Sequence, residues 1–221
     1  MPIISKIRHF IQGTSEITPN IYQITVVGTN TILIIEDKLT LIDTGYRGSV
    51  PHIIEYIRQL GRSPEEISLI ILTHNHIDHV GGLAELKKLT RARVAIHKAD
   101  IGQRKNLPSA RAEDIDIPLE GGEVLDVLGG LEIIHTPGHT PGSISLFSPE
   151  NKLIFVGDAL RKRRDILHIP HKSISFDMRL AVDSVRKIAR LDFDTVCFGH
   201  GLPLTTNVQA RIQDLVARNR D

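Results

Sequence analysis

The sequence predicts an α/β protein in which two sheets lie between outer helices, a four-layer αββα sandwich. The chain runs twice through a series of strands rich in β-branched residues that ends in amphipathic helices, and no Pro/Gly/Ser-rich linker separates the two halves. Since each sheet and each helix must cover an apolar face, two such halves are expected to stack sheet against sheet with the helices outside. We therefore predict that residues 1–221 form a single domain.

Three strand patterns and a helix make up the start of the chain. Turn residues at Gly28–Asn30 and Asp37–Lys38 divide the strands. The helix begins at Pro51, which suits a first helical turn, and stops at Gly61. A continuous apolar run then indicates a strand buried on both faces, followed by a helix to about Thr90. The predicted elements are the strands Ile21–Val27, Thr31–Ile35, Leu39–Ile42, Ile67–Leu72 and Arg93–His97 and the helix Pro51–Leu60.

The second half follows a polar stretch, Lys98–Glu120, which we expect to form one wall of a cleft through Arg104, Lys105 and Arg111. Strand signals then return, and two amphipathic helices close the chain. The predicted elements are the strands Glu123–Leu128, Leu131–Thr136, Ser143–Phe147, Leu153–Val156 and Thr195–Phe198 and the helices Asp177–Arg190 and Asn207–Arg218.

The composition narrows the function classes. With 27 Lys+Arg against 26 Asp+Glu the net charge is +1, so no global positive field favours nucleic acid as a partner. The single cysteine, Cys197, excludes an internal disulfide. No apolar run reaches the roughly 18 residues of a membrane span and the start has no signal-peptide pattern, so we expect a cytoplasmic protein that does not bind membranes. The 31 isoleucines together with abundant Lys and Arg favour a thermophilic source.

The strongest functional signal is a cluster of ligand-type residues directly after the buried strand. His74, His76, Asp78 and His79 lie within six residues and precede two glycines, which would let the backbone turn tightly. Because side chains alternate along an extended segment, His74 and His76 point to the same side and are suited to one ion. A turn after them would direct Asp78 and His79 towards a second ion. Imidazole and carboxylate groups suit zinc, and also iron or manganese.

Further polar residues follow other apolar strands and fit the same site. His139 lies in a turn rich in Pro and Gly, and Asp158 and His200 are each flanked by glycine. A lone residue of this kind is usually a cap or turn residue, but the nearby histidine cluster favours metal ligation for all three. Asp43 also follows a strand, and we expect it to accept a hydrogen bond from a ligand imidazole and so fix its tautomer.

These motifs, from the Asp43 loop to the His200 loop, resemble the metallo-β-lactamase superfamily of binuclear metallohydrolases in content and order. The resemblance implies the αββα fold and two divalent ions, most simply zinc. It implies a first metal held by His74, His76 and His139 and a second held by Asp78, His79 and His200, with Asp158 bridging the two. A metal-bridging hydroxide would attack the substrate, and Asp78 or a metal-bound water would pass a proton to the leaving group.

The bridging Asp158 is similar to that of the glyoxalase II, lactonase, phosphodiesterase and phosphotriesterase branches, and true β-lactamases of this fold generally lack it. Glyoxalase II adds a C-terminal glutathione-binding domain, and with 21 residues after His200 we expect none here. Many acyl-homoserine lactonases place a Tyr three residues after the bridging Asp, where this chain has Arg161. We therefore predict a hydrolase of small esters, lactones, thioesters or phosphotriesters. Minor, promiscuous β-lactam hydrolysis is an alternative.

The segment after Asp158 has two interpretations. The run Arg161–Arg164 would draw an anionic or phosphoryl substrate, with His168 and His171 as hydrogen-bond donors in the pocket. Alternatively, the segment is a solvated loop whose arginines pair with Asp165 and nearby acids and whose histidines are surface residues. Four further histidines, assigned no role, are His9, His52, His97 and His135.

Two rival functions come from other classes. A mononuclear iron dioxygenase acting on persulfides resembles this family, and one iron per chain with oxygen uptake would distinguish it from a two-zinc hydrolase. A metal-bound scaffold without activity is disfavoured because no ligand is missing. We expect a small-molecule substrate, and the composition leaves both a monomer and a homodimer open.

Overall fold

The computed structural model describes residues 12–102, 109–163 and 165–219, which fall into two compact units. The first unit contains the described residues up to Ala95 and those of Ile101–Ile117, and the second contains Ile96–Asp100 and the described residues from Pro118 onward. The predicted residues His9, Arg104, Lys105 and Arg164 lie outside the described ranges.

A seven-stranded sheet with its strands in chain order, β1 to β7, forms the frame of the first unit, although the ends of β6 and β7, from Ile96 and Pro118 onward, are counted in the second unit. Strands β1 to β4 are antiparallel neighbours, and β5 runs parallel to β4. The strands are β1 Gln12–Thr18, β2 Ile21–Val26, β3 Thr29–Ile35, β4 Leu39–Ile42, β5 Ile67–Leu72, β6 Arg93–His97 and β7 Ile117–Leu119. The helices are α1 Val50–Gln59, α2 Ile77–Val80 and α3 Leu83–Thr90.

A five-stranded sheet in the order β14-β11-β10-β9-β8 forms the frame of the second unit. Its neighbours are antiparallel except β11 and β14, which are parallel. The strands are β8 Val124–Leu125, β9 Leu131–His135, β10 Ile144–Ser148, β11 Leu153–Phe155, β12 Arg161–Arg163, β13 Ile166–His168 and β14 Thr195–Cys197, of which β12 and β13 form a separate hairpin. The helices are α4 Met178–Ile188 and α5 Val208–Arg218.

The pattern of apolar residues predicts the ends of most strands and helices to within a few residues. Where the predicted and observed elements differ, the cause is local. Strand β1 was not predicted because it is an edge strand with a largely polar, partly exposed sequence. The hairpin β12–β13 was missed because consecutive cations hide the alternation of its strands. The predicted strand Glu123–Leu128 shortens to Val124–Leu125, since the chain turns directly after Leu125, whose carbonyl accepts from the Val127 amide at 2.9 Å. Cys197 is buried, as expected for a core residue.

The polar stretch Lys98–Glu120 contains, in its described part, two short 3₁₀ helices and β7. Arg111 is exposed and lies 3.5 Å from the carboxylate of Glu113, so this predicted cleft residue faces a surface acid in the described part of the stretch. Among the helices that the structure describes, none combines the length and the apolar character that a membrane crossing requires.

The β2–β3 hairpin turns one residue earlier than predicted. Val26 pairs with Thr29, so the turn consists of Val27 and Gly28 alone, with φ angles of 53° and 80°. Positive φ at both central residues is characteristic of a type I′ turn, which favours Asn-Gly. A β-branched valine is strained in that region, and Val27 is also 57% exposed, so little packing offsets the strain.

Replacing Val27 by Asn should therefore stabilise the protein by about 1 kcal/mol, because asparagine tolerates the left-handed region. Chemical denaturation at fixed metal content measures the free energy of unfolding. Val27→Ala is the matched control, since it removes the exposed valine side chain without favouring positive φ. An equal effect of both variants would show that the turn conformation is not the cause.

A stacked pair of imidazoles lies in the second unit. The rings of His97 and His135 are 4.0 Å apart and nearly parallel, at 11°. His97 Nδ1 accepts a hydrogen bond from the Ala99 amide, and its Nε2 donates to the Glu120 carbonyl, so the ring is neutral. Burial, and then the neighbouring His135, lower the pKa of His97 below its ordinary value of 6.5.

This lowered pKa should make the free energy of unfolding fall as the pH drops below about 6.5, because the unfolded chain then binds a proton that the folded protein excludes. The contribution is complete above that pH and is lost progressively towards the lowered pKa. Unfolding measured between about pH 5 and 8 should show a shallower dependence in His97→Gln than in the parent. The exposed His168→Gln serves as the control, and an identical slope in all three proteins would contradict the assignment.

Candidate metal centre

In the first unit, four predicted ligands gather where the buried strand β5 ends. His76 has extended backbone angles of −102° and 148° immediately before α2, which carries Asp78 and His79. The Nε2 atom of His74 and the Nδ1 atom of His76 are 3.1 Å apart, so these side chains do point to one side. Nε2 of His79 lies 3.6 Å from Oδ2 of Asp78, and the His74 and His79 rings are 4.1 Å apart.

The buried carboxylate of Asp43 orients two of these histidines. Its Oδ2 accepts a hydrogen bond of 2.7 Å from Nδ1 of His79, which leaves Nε2 of that ring unprotonated. The same carboxylate accepts from the amide and the hydroxyl of Thr73, each at 2.8 Å. Because the Thr73 hydroxyl donates to Asp43, it can accept from Nδ1 of His74 at 3.0 Å, so Nε2 of His74 is also left as a donor atom for a metal.

Sequence reasoning identified Asp43 but missed Thr73, whose position directly before His74 was the available signal. Asp43 itself adopts a positive φ of 62°, a conformation that Asp and Asn tolerate better than most residues. The following residue, Thr44, donates from its amide and its hydroxyl to the carbonyl of His79 at 2.7 and 2.8 Å. The Asp43 loop therefore fixes both the backbone and the ring of His79.

The two glycines after His79 are required by close packing rather than by a tight turn. Both have ordinary helical φ angles, of −63° at Gly81 and −87° at Gly82. A Cβ on Gly81 would come within 2.7 Å of the Arg47 amide nitrogen, and one on Gly82 within 2.6 Å of the Thr44 carbonyl oxygen. The predicted reason was therefore wrong: the glycines let the loop that carries Asp43 approach the helix start.

In the second unit, the other three predicted ligands meet at one edge of the sheet. Since β11 and β14 are parallel, the residues that follow them, Asp158 and His200, lie side by side. Oδ2 of Asp158 is 3.4 Å from Nε2 of His200 and 3.6 Å from Nε2 of His139. One carboxylate oxygen therefore faces two imidazole nitrogens, an arrangement that suits a bridging ligand.

The loop that carries His139 is held by a carboxylate that sequence reasoning did not single out. Asp100 is 1% exposed and accepts hydrogen bonds from the Thr140 hydroxyl and the Gly142 amide, both at 2.7 Å. On the other side, Gly138 has a φ of 138°, and a Cβ there would clash with the backbone of Ala181 in α4. No sequence motif marks Asp100, because its partners are 40 or more residues away.

The donor set of each unit fits a divalent metal. Two ligand atoms that are each about 2.1 Å from a tetrahedral ion lie about 3.4 Å from one another. The measured separations are 3.1 and 3.6 Å in the first unit and 3.4 and 3.6 Å in the second. The donors are neutral imidazoles and carboxylates, which zinc, iron and manganese all accept. These separations suit pairs of atoms that share an ion.

The three predicted pocket residues, Arg161, His168 and His171, line one pocket of about 490 Å³ together with His200. The alternative interpretation paired the arginines with Asp165. In the structure Asp165 is instead bound through both carboxylate oxygens by Arg211 of α5, at 2.9 and 2.8 Å.

Comparisons with known proteins identify the family of the chain. The sequence profile described as the Metallo-beta-lactamase superfamily matches residues 24–200. The "Probable metallo-hydrolase YflN" of Bacillus subtilis (strain 168) is 28% identical over 217 residues, covering 82% of each chain. A "Hydroxyacylglutathione hydrolase" of Pseudomonas aeruginosa (strain LESB58) is 47% identical over 96 residues, which are 42% of this chain but only 33% of that enzyme.

Two solved structures carry the same fold. The metallo-beta-lactamase family protein TTHA1429 from Thermus thermophilus superposes with a TM-score of 0.73 at 22% identity, over 93% of this chain and 81% of the other. BJP-1, a subclass B3 metallo-beta-lactamase of Bradyrhizobium japonicum, gives a TM-score of 0.73 at 21% identity, over 95% and 93%. At this identity the likeness carries the fold alone, and it confirms the predicted αββα class.

Replacing Asp43 by Asn should weaken metal binding by about 10- to 100-fold, because the amide cannot accept from both Thr73 and His79. Asn tolerates the positive φ, so the loop should keep its backbone. Competition with a chromophoric chelator measures the affinity, and denaturation reports stability alongside. Asp37→Asn, an exposed change in the same unit, is the control. Unchanged affinity in Asp43→Asn would mean that this carboxylate holds only the loop.

Proposed function

This chain belongs to the metallo-β-lactamase superfamily, and from that premise we propose that it is a binuclear metal-dependent hydrolase of small esters, lactones, thioesters or phosphotriesters. The observation that carries the proposal is the pairing of donors within each unit, above all the Oδ2 atom of Asp158 facing His139 and His200. We expect the enzyme to act in the cytoplasm on a small-molecule substrate, without nucleic acid or membrane.

The tautomers of two histidines indicate which of their ring atoms would bind metal. Nε2 of His74 and of His79 are the unprotonated atoms, because Nδ1 of each ring donates into the Thr73–Asp43 network. We assign the first metal to His74, His76 and His139 and the second to Asp78, His79 and His200, with Asp158 shared between them. Zinc suits this set best, and iron or manganese would also bind. Held by these residues, divalent ions would supply Lewis-acid chemistry, lowering the pKa of a bound water and polarising the substrate oxygen.

The residues of the chain have separate tasks in this scheme. Asp43 accepts the hydrogen bond from Nδ1 of His79 and so keeps that ring in one tautomer and one orientation. The carboxylate of Asp78 is about one-fifth exposed, so it can reach both His79 and a leaving group from the solvent side, and we assign it the proton transfer. No nucleophile from the protein is required. The buried Cys197 is unsuited to that role because burial raises the pKa of its thiol.

The relatives bear on the type of bond. The hydroxyacylglutathione hydrolase segment of 96 residues supports a thioester among the candidate substrates, because an acylglutathione is a thioester. Only 33% of that enzyme is matched, so its glutathione specificity is not carried over. A β-lactam belongs in the substrate panel because the fold is shared with a subclass B3 enzyme.

Replacing either His76 or Asp158 by Ala should remove metal and lower kcat/KM by more than about 100-fold, beyond what a change outside the ligand set produces. Metal is quantified by atomic spectroscopy, and activity is measured on p-nitrophenyl esters, lactones, thioesters, phosphotriesters and a β-lactam. His52→Ala on α1, which belongs to no proposed ligand set, is the control.

Two results would overturn the proposal. Full activity of His76→Ala or Asp158→Ala with one metal or none would exclude a shared hydroxide. One iron per chain, with oxygen consumption and no hydrolysis, would identify a dioxygenase instead.

A further inference from the structure

The hairpin β12–β13 presents a cationic face next to His200. Arg161 pairs directly with His168 across the hairpin, and Arg163 pairs with Ile166. Because side chains alternate along a strand and paired residues share a face, Arg161, Arg163 and His168 project from the same side. The opposite side carries Leu167, which is 2% exposed and belongs to the apolar core of the second unit.

The hairpin is anchored from behind by two arginines of α5. Arg211 binds the Asp165 carboxylate in bidentate fashion at 2.9 and 2.8 Å and also contacts its carbonyl at 3.1 Å. Arg218 donates to the carbonyl of Leu167 at 2.9 Å. These contacts fix the strands and occupy the one acidic side chain of the hairpin. The cationic face is therefore held in place by groups outside the pocket.

Every ionisable residue that the structure places in the lining of the pocket beside this face is basic. Arg161, Lys162 and Arg163 line it together with His168, His171 and His200, and the described lining contains no carboxylate. Within the described ranges neither Arg161 nor Arg163 forms an ion pair, whereas Lys162 donates to the Pro203 carbonyl at 3.1 Å. Protein acids usually neutralise such a cluster, so its charge points to a ligand that supplies the missing anion.

We propose that this pocket binds an oxyanion group, a carboxylate or a phosphate monoester, carried by the substrate on the part that is not cleaved. The proposal rests on the hydrolase function proposed above and specifies the substrate class of that same site. Arg161 is the principal contact, since its guanidinium can bind two oxygens of one anion and lies on the strand three residues after Asp158. His200 joins the pocket to the ligand set, so the anionic group and the scissile bond belong to one molecule.

The test compares p-nitrophenyl esters that differ in charge at several acyl chain lengths. Butyrate is neutral, a glutarate half-ester carries a carboxylate, a phosphonobutyrate carries a phosphate-like dianion, and a trimethylammonio-butyrate is cationic. We expect kcat/KM of the metal-loaded protein to be at least about 10-fold higher for an anionic ester than for its neutral and cationic counterparts. Added salt should reduce the preference. The carboxylate and phosphonate series show which oxyanion is preferred.

Arg161→Gln should lower kcat/KM for the preferred anionic ester about 10- to 100-fold more than for the neutral ester, mainly through KM. Arg190→Gln makes the same charge change at an exposed position that does not line the pocket, and it should alter neither value. Equal rates for all charges, or an equal effect of Arg161→Gln on all of them, would overturn the inference while leaving the hydrolase proposal intact.

Failure of the proposed function has a different signature, namely no hydrolysis of any ester by metal-loaded protein. Calorimetry with free glutarate and methylphosphonate then decides the inference without activity. Binding that weakens at least about 10-fold in Arg161→Gln, but not in Arg190→Gln, supports the oxyanion site. Equal binding by the parent and Arg161→Gln, or no binding at all, refutes it.

Discussion

The carboxylate of Asp43 is the group on which the candidate metal centre of the first unit depends. It is 2% exposed and accepts three hydrogen bonds, two from Thr73 and one from His79. An ionised carboxylate is costly to bury, and three donors offset that cost. In return, the carboxylate fixes the tautomers of His79 directly and of His74 through the Thr73 hydroxyl. The metal-binding chemistry of two imidazoles therefore follows from one buried acid.

The second unit uses the same physical solution with different residues. Asp100 is equally buried and holds the His139 loop through the Thr140 hydroxyl and the Gly142 amide. The β12–β13 hairpin is held in a third way, in which Arg211 donates two hydrogen bonds to the exposed carboxylate of Asp165. In each case hydrogen bonds hold the ring or segment that carries the candidate functional group, and they do not use the atoms proposed to bind metal or substrate. Such support is what keeps a ligand or binding group in a productive orientation.

Prediction from the sequence succeeded where a local pattern carries the signal. The buried strand β5, the amphipathic helix α4 that begins after its cap Asp177, and the period-two placement of His74 and His76 are all readable from a few consecutive residues. It failed where the cause is distant. The need for Gly82 arises from the Thr44 carbonyl, more than thirty residues earlier in the chain, and no local sequence pattern reveals it.

The sequence by itself determined the fold class and the candidate ligand residues, because strand and helix periodicities and metal-ligand chemistry depend on residue identity and short spacing. The tertiary structure decided which nitrogen of the His74 and His79 rings is available and which buried acids hold the candidate ligand loops. It also decided that, within the described part of the chain, Arg161 and Arg163 form no ion pair with the acid expected to bind them. Those properties depend on hydrogen bonds and ion pairs between segments 30 to 46 residues apart, as with Asp43 and Thr73 or Asp165 and Arg211. Only the folded chain brings such partners within bonding distance.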